Sequence, residues 1–318
     1  MSRTRSAVLA ALLLAALGLS LAAGAARAAG TAAGGEKIIV SGASGQLGGL
    51  TVKALLARGV APANLILVSR TPEKLAAYAA LGASVRFGDL TQPESLPAAY
   101  AGGSRMLLIS VMPGSIPRPQ LHQRAFDAAV KAGVRHIVYT SIIGADEGLS
   151  PLAADHWQSE RNLMASGAAW TMLRNGFYAD GLIRQAADMV ASGRVVVAPN
   201  EPKSAPVTRE DCAAAAAGAL TTPGHDNQAY DITGPELLDR RDIARIVSEL
   251  SGRPIAVIAQ SENPPPAAGP APGAAAPRGA MVAGPGVLTQ AVQTLSGRPA
   301  TSVRAMLDAH RSEWLAAH

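Results

Sequence analysis

The stretch Lys37–Gly49 constrains this chain more than any other. An apolar run, Ile38–Val40, leads into a loop with Gly42, Gly45 and Gly48 at G-x-x-G-x-x-G spacing, and a helical pattern follows at once. A strand, a glycine turn and a helix start in that order let backbone approach a diphosphate. The helix N-terminus then presents free N–H groups and a partial positive charge. The flanking strand and helix make the signal more specific than a lone glycine triplet, so the stretch reads as a dinucleotide site. A tight structural turn would use the same glycines.

The pattern that follows sets the fold class. Leu47, Leu50, Ala54 and Leu55 recur at helical spacing, and Gly59 ends that helix. Strands are expected at Leu65–Ser69, Ser84–Phe87, Met106–Ser110, His136–Thr140 and Trp170–Leu173. Helices at Leu121–Ala132 and Leu152–Ala165 fall between the later ones. Thr71-Pro72 reads as a capped helix start, and Thr91-x-x-Glu94 as a capping box. Repeated βα units predict an α/β fold with a doubly wound parallel sheet and ligands at the C-terminal strand ends. Less regular elements follow: helix Gly181–Ala191, strand Val195–Ala198, helix Thr208–Leu220, strand Tyr230–Ile232, helix Arg241–Leu250 and strand Ile255–Ile258. Substrate-lobe elements begin near residue 176 of a domain spanning 36–260. Residues 261–286, dense in Pro, Ala and Gly, read as a linker or loop. Helical patterns over Val287–Leu295 and Ser302–Leu315 close the chain in segment 287–318.

Composition removes several function classes. The pI is about 9.6, but the formal charge is only +5 and aromatics make up 3%, with no basic run interleaved with aromatics. Nucleic acid is therefore not an expected partner. Cys212 is the only cysteine, which excludes an intramolecular disulfide and a cysteine-cluster metal site. No metal is expected.

The first residues form a separate unit. Arg3 and Arg5 precede an apolar run, Ala7–Ala26, and Ala26-Arg27-Ala28 has the A-x-A form of a cleavage site. Residues 1–28 read as a signal peptide, implying a periplasmic or exported protein. Uncleaved, the run is long enough to anchor the chain in a membrane. A cytoplasmic protein follows if the leader is not translated, and that requires a non-Met start, because the next methionine is Met106.

Candidate chemistry lies at the strand ends. A site for NAD usually carries Asp or Glu after the second strand to hold the ribose 2′-hydroxyl. Here Arg70 stands there with Lys74 one turn on, which fits the 2′-phosphate of NADPH, with NADH as the alternative. Asp89, ending the third strand, is placed either to reach an adenine edge or to brace a turn. Carbonyl-reducing short-chain dehydrogenases use Tyr-x-x-x-Lys, but the residues four after Tyr78, Tyr100, Tyr139, Tyr178 and Tyr230 are Gly82, Ser104, Ile143, Leu182 and Gly234. No lysine lies between Lys131 and Lys203, so ordinary alcohol dehydrogenation is not expected. His156 and Glu160, four apart on one helix, form either a proton relay or a solvated pair. Ser141 ends the fifth strand, where its hydroxyl either faces a nicotinamide or closes a turn. Phe177 and Tyr178 flank the sixth strand's end, suited to stacking on a flat ring or to core packing.

The runs Gly42-Ala43-Ser44-Gly45-Gln46-Leu47-Gly48, Ala132-Gly133-Val134-x-His136-Ile137-Val138-Tyr139-Thr140-Ser141, Leu173-Arg174-Asn175-Gly176-Phe177-Tyr178 and Thr208-Arg209-Glu210-Asp211 resemble the NmrA-like, atypical short-chain dehydrogenase family, nearest its bacterial NAD(P)H:quinone oxidoreductase branch. The similarity covers about Lys37–Arg253 and, weakly, Leu288–Leu307. It implies one Rossmann-type domain with a small C-terminal α/β lobe over a cleft. It also implies Gly42, Ala43, Ser44, Gly45, Gln46 and Leu47 on the diphosphate and Arg70 on the 2′-phosphate. Ser110, Val111, Met112, Asn175, Gly176, Phe177 and Tyr178 fall near ribose and nicotinamide, with Arg209 beside them. Two departures stand out: Arg161 where relatives commonly have Lys, and the Pro/Ala/Gly stretch where they have a helical segment. The expectation is an enzyme passing hydride from NADPH to a quinone or similar small-molecule acceptor without a flavin, with His156 and Tyr178 as candidate catalytic residues. The alternative is a non-catalytic NADP(H)-binding redox sensor that signals to a protein partner.

Overall fold

The computed structural model describes residues 36–112, 114–148, 150–260 and 286–316. The leader and all but the last residue of the 261–286 stretch lie outside the described residues. In chain order the elements are β1 (Ile38–Ser41), α1 (Gln46–Ala57), β2 (Leu65–Ser69), α2 (Ala76–Ala80), β3 (Ser84–Phe87), α3 (Leu96–Tyr100), β4 (Arg105–Leu108) and α4 (Arg118–Lys131). Next come β5 (His136–Ile142), α5 (Pro151–Met164), β6 (Ala169–Asn175), α6 (Gly181–Ser192), β7 (Arg194–Val197) and α7 (Arg209–Thr221). The described chain ends with β8 (Gln228–Ile232), α8 (Arg240–Ser251), β9 (Ala256–Ala259), α9 (Ala291–Ser296), α10 (Val303–Ala309) and α11 (Arg311–Leu315).

Seven strands form one sheet in the order β3-β2-β1-β4-β5-β6-β8, and every pair is parallel. The order reverses between β1 and β4, and the crevice outside their C-terminal ends is where such a sheet binds ligands. Every residue of β1 and β2 is buried, the signature of parallel strands covered on both faces. On one face lie α1, α7 and α9, with Leu47, Leu55, Ala216 and Leu295 in a shared core. On the other lie α3, α4 and α5, with Tyr100, Phe126, Tyr139 and Leu163. A third core joins α6, α8, α10 and α11 to β7 around Trp314, and β7 pairs with β9 in a separate two-stranded parallel sheet.

Small residues let α7 sit deep. Its Ala213–Leu220 stretch is almost wholly buried, and a Cβ on Gly218 would stand 1.8 Å from the Leu295 carbonyl oxygen, so α9 rests directly on it. Arg58 ties the same region together, donating to Thr221 Oγ1 at 2.8 Å and to the Ser296 carbonyl at 3.2 Å. Cys212 is buried on α7, and burial pushes its thiol well above the ordinary range, as an inert core residue requires.

Several local expectations need correction. Thr71 caps no helix: Pro72–Leu75 is a short 3-10 turn, and the Thr71 hydroxyl lies among Ser44 and Ser69 instead. Thr91 makes no capping box, because its hydroxyl is taken by Asp89. The expected helix over Val287–Leu295 begins only at Ala291, since Thr289 is bound to Thr233 and to the Asp231 carbonyl. The expected helix over Ser302–Leu315 breaks at His310 into α10 and α11. Thr208 does cap α7, accepting from the Asp211 amide.

Candidate cofactor site

The glycine loop is shaped by contacts that no side chain would permit. Gly42 has φ of +91°, a left-handed conformation suited to glycine. Its amide and that of Ala43 both donate to the Val68 carbonyl, at 3.0 and 3.1 Å, which pins the loop to β2. A Cβ on Gly48 would stand 2.2 Å from the Gly42 carbonyl oxygen, so only glycine lets α1 begin this close to the loop. Gly45 is the N-cap of α1 and supplies no side chain, and the first turn holds no acid. The amides of Gln46, Leu47 and Gly48 are therefore left without intrahelical acceptors, in a field that favours an anion.

At the end of β2 stand hydroxyls and two cations, Arg70 and Lys74, with Glu73 as the one carboxylate of the turn that follows. Ser44 Oγ lies 2.6 Å from Ser69 Oγ, which accepts from the Thr71 amide at 2.9 Å. Arg70 and Lys74 are both exposed and make no ion pair among the described residues. Asp89 has already spent one carboxylate oxygen, Oδ1 accepting from both the amide and the hydroxyl of Thr91 at 2.9 Å. The turn-bracing role is thus the one the geometry displays.

Across the switch point, Ile109 packs on Gly42, and the Ile109 amide donates to the Ser41 carbonyl. The Ser110 amide donates to Thr140 Oγ1 at 2.9 Å, and Met112 is 83% exposed. Ser141 is the next-to-last residue of β5 and Asn175 the last of β6. They are 2% and 4% exposed, and Ser141 Oγ and Asn175 Oδ1 have no hydrogen-bond partner among the described residues. Two buried polar atoms without partners at ligand-binding strand ends are what a polar ligand would satisfy. Gly176 donates to the Ile232 carbonyl, and from there the aromatic pair diverges. Phe177 packs on the lobe core, while Tyr178 packs on the α7 side. The Tyr178 hydroxyl accepts from Asn175 Nδ2 at 3.2 Å, and the Arg209 guanidinium lies 4.5 Å from its ring centroid. Asp180 orients Arg209 by accepting from its amide at 2.9 Å and pairing with its guanidinium at 3.4 Å. Burial pushes the Tyr178 hydroxyl pKa up.

His156 and Glu160 do not form the expected pair. His156 is 3% exposed, with Nδ1 at 2.8 Å from the Tyr139 hydroxyl. Glu160 instead meets Arg174 of the neighbouring strand through a two-bond fork of 3.0 and 2.7 Å, and Arg174 also reaches Asp146 at 2.8 Å. A bidentate guanidinium outcompetes a neutral imidazole for a buried carboxylate. Helical spacing alone could not have revealed this, because Arg174 approaches from another element. The signal missed in the sequence was an arginine continuing a largely apolar, buried strand at its C-terminal end.

The buried histidines make folding pH-dependent. Burial, then nearby positive charge, lowers the pKa of His122 and His156 to about 3. His136, at the opposite end of β5, falls to about 4 for the same two reasons. Each binds fewer protons folded than unfolded, so its contribution is complete above the unfolded value of about 6.5 and is lost as pH falls towards the folded one. The urea midpoint should drop between about pH 7.5 and about pH 5.5. Equal midpoints would show that these rings are not buried in neutral form.

The donors fit an anionic dinucleotide: free helix amides, unpaired cations after β2, and unpartnered polar atoms where a carboxamide-bearing ring would lie. Comparison with known proteins gives the same answer. The sequence profile of the NAD(P)H-binding family matches residues 42–223. Quinone oxidoreductase 2 of Escherichia coli (strain K12) is 34% identical over 218 residues, covering 69% of this chain and 76% of the relative. NAD(P)H azoreductase of Xenophilus azovorans is 32% identical over 225 residues, covering 70% and 76%. The crystal structure of the NADPH complex of an Escherichia coli NADPH-dependent quinone oxidoreductase superposes with a TM-score of 0.74 at 28% identity, covering 86% of this chain and 99% of that one. The matched span opens on Gly42 itself and closes just past α7, taking in the C-terminal ends of β2 to β6, and the chain belongs to the NAD(P)H-binding family.

Proposed function

We propose that the chain is an NADPH-dependent oxidoreductase whose acceptor is a quinone or a similar flat, conjugated molecule. The observation that carries this reading is the state of the proton-bearing groups nearest the crevice. Tyr139, within β5, and His156, on α5, are interior and bonded to each other, and among the described residues no lysine adjoins Tyr178 to lower its pKa. None is set up as an acid, which suits an acceptor that draws its proton from water. When bound, NADPH supplies the hydride.

The chain's own residues bind and orient. The start of α1, at Gln46, Leu47 and Gly48, presents its free backbone N–H groups to the diphosphate, over a loop held in shape by the Gly42 and Ala43 amides. Arg70 and Lys74 meet the 2′-phosphate, with the Ser44 and Ser69 hydroxyls alongside. Ser141 and Asn175 offer their unpartnered oxygens to the nicotinamide end, and Tyr178, steadied by Arg209, offers a ring face. The names of the curated relatives, a quinone oxidoreductase and an azoreductase, support acceptors of this class.

NADPH consumption with a simple benzoquinone tests the proposal; bound NADPH with no turnover across a broad quinone panel would refute it. That second result would favour a non-catalytic NADP(H)-binding regulator, a reading also motivated by the missing acid, and unequal affinity for the two redox states would support it. The cofactor assignment has its own test. A charged hydrogen bond to phosphate gives roughly 10- to 150-fold preference, so Arg70→Glu should move the affinity ratio from NADPH towards NADH. An unchanged ratio removes Arg70 from the site.

A further inference from the structure

The second wall of the crevice, the irregular loop after β4, is held by two buried side chains that the cofactor reading does not use. Val111 sits between Ser110 and Met112, and both of its backbone polar groups go to α4. Its amide donates to His122 Nε2 at 3.1 Å, and its carbonyl accepts from Arg118 Nε at 2.8 Å. Arg118 and His122 are four residues apart on one helix face and are both buried. A half-buried loop residue could satisfy its backbone with water. Here an arginine and a histidine are desolvated to do it, at a cost that ordinary loop packing does not require.

The protons in this cluster can all be placed. The Val111 amide is a donor, so His122 Nε2 must be the unprotonated acceptor and Nδ1 must carry the ring proton. Nδ1–H then donates to Ser159 Oγ at 2.9 Å, and Ser159 donates onward to the Asp155 carbonyl at 2.8 Å. The Tyr139 hydroxyl, 3.2 Å from the same Nδ1, turns its proton to His156 Nδ1 at 2.8 Å. Arg118 is steadied in turn by Asp155 at 3.4 Å. A single tautomer of His122 satisfies every contact, so the Val111 peptide has one defined orientation.

We propose that Arg118 and His122 are positioning residues for the cofactor, clamping the Val111 peptide so that Ser110–Met112 stands as a fixed wall opposite the glycine loop. This rests on the NADPH reading above. The clamp acts through Val111 and touches no reacting atom, so it should govern cofactor affinity more than turnover.

The test uses the full chain and the variants His122→Leu, Arg118→Met and His122→Gln, the last because its Oε1 can take the Val111 amide. Amide exchange of residues 109–112 is measured without cofactor, with NADPH affinity and benzoquinone kinetics alongside. His122→Leu and Arg118→Met should speed exchange at Val111 and raise the KM and Kd for NADPH about tenfold, while kcat at saturating NADPH falls much less. His122→Gln should recover most of both losses. Arg118→Met carries the test if His122→Leu does not fold. Faster exchange with unchanged NADPH affinity overturns the positioning role, and unchanged exchange overturns the clamp. A wild-type chain that binds no NADPH overturns the cofactor reading and this proposal with it.

Discussion

Alanine at position 48 should abolish nicotinamide-nucleotide binding and destabilise the chain by about 3 kcal/mol. The new Cβ would lie 2.2 Å from the Gly42 carbonyl oxygen and 2.8 Å from the Ala43 Cα, both backbone atoms of the loop itself. Neither can step aside without moving the loop, whose Gly42 and Ala43 amides are fastened to Val68. Relief therefore comes only from lifting α1 away or reshaping the loop, and both disperse the amides that face the diphosphate. Gly49→Ala is the internal control. It lies in the same helix with its nearest obstacle 3.9 Å away, and alanine there gains up to about 1 kcal/mol of helix propensity. Urea unfolding and NADPH titration of the two variants should separate them. A Gly48→Ala chain with native affinity would mean that α1 does not start against the loop as described.

The second large effect is electrostatic. Arg174→Met should cost about 3–5 kcal/mol, because it strands Glu160, 1% exposed, without its fork partner. Glu160→Gln should cost less, since Arg174 keeps its 2.8 Å contact with Asp146 and a neutral amide can still accept from the guanidinium. Pairing Arg174→Met with Glu160→Leu should recover most of the loss, as no buried charge then remains. A double-mutant cycle in denaturant reads this directly. If Arg174→Met proves nearly neutral, Glu160 must have another counter-charge or access to water.

These two sites mark what could be read from residues alone. The glycine loop, the parallel strands and the free cations after β2 are local matters of spacing, apolar runs and charge, and the structure realises the α/β sheet they predict. What escaped depends on neighbours distant in sequence. Thr71 and Thr91 have the right spacing to cap helices, but Ser69 and Asp89 compete for their hydroxyls. His156 and Glu160 share a helix, yet each is claimed by a different strand, through Tyr139 and Arg174. His122 gave no signal as an isolated histidine on an amphipathic helix; only the fold brings the Val111 amide to it. The late start of α9 goes with the bonds of Thr289 to Thr233 and the Asp231 carbonyl, and at the break at His310 the Trp314 indole N–H donates to the Leu307 carbonyl.

The C-terminal segment has a consequence for the order in which the molecule can be completed. Helix α9 belongs to the sheet's core, while α10 and α11 belong to the lobe's core. Asp211, fully buried at the start of α7, waits for Arg298 at 2.7 Å and for the Thr301 amide at 2.8 Å. The Arg58–Ser296 bond spans 238 positions. A chain emerging from the ribosome N-terminus first would therefore hold both cores unfinished until α9, α10 and α11 arrive, with the Gly218 side of α7 bare in the meantime. Assembly of the dinucleotide domain is thereby postponed until the segment from α9 to α11 has been made.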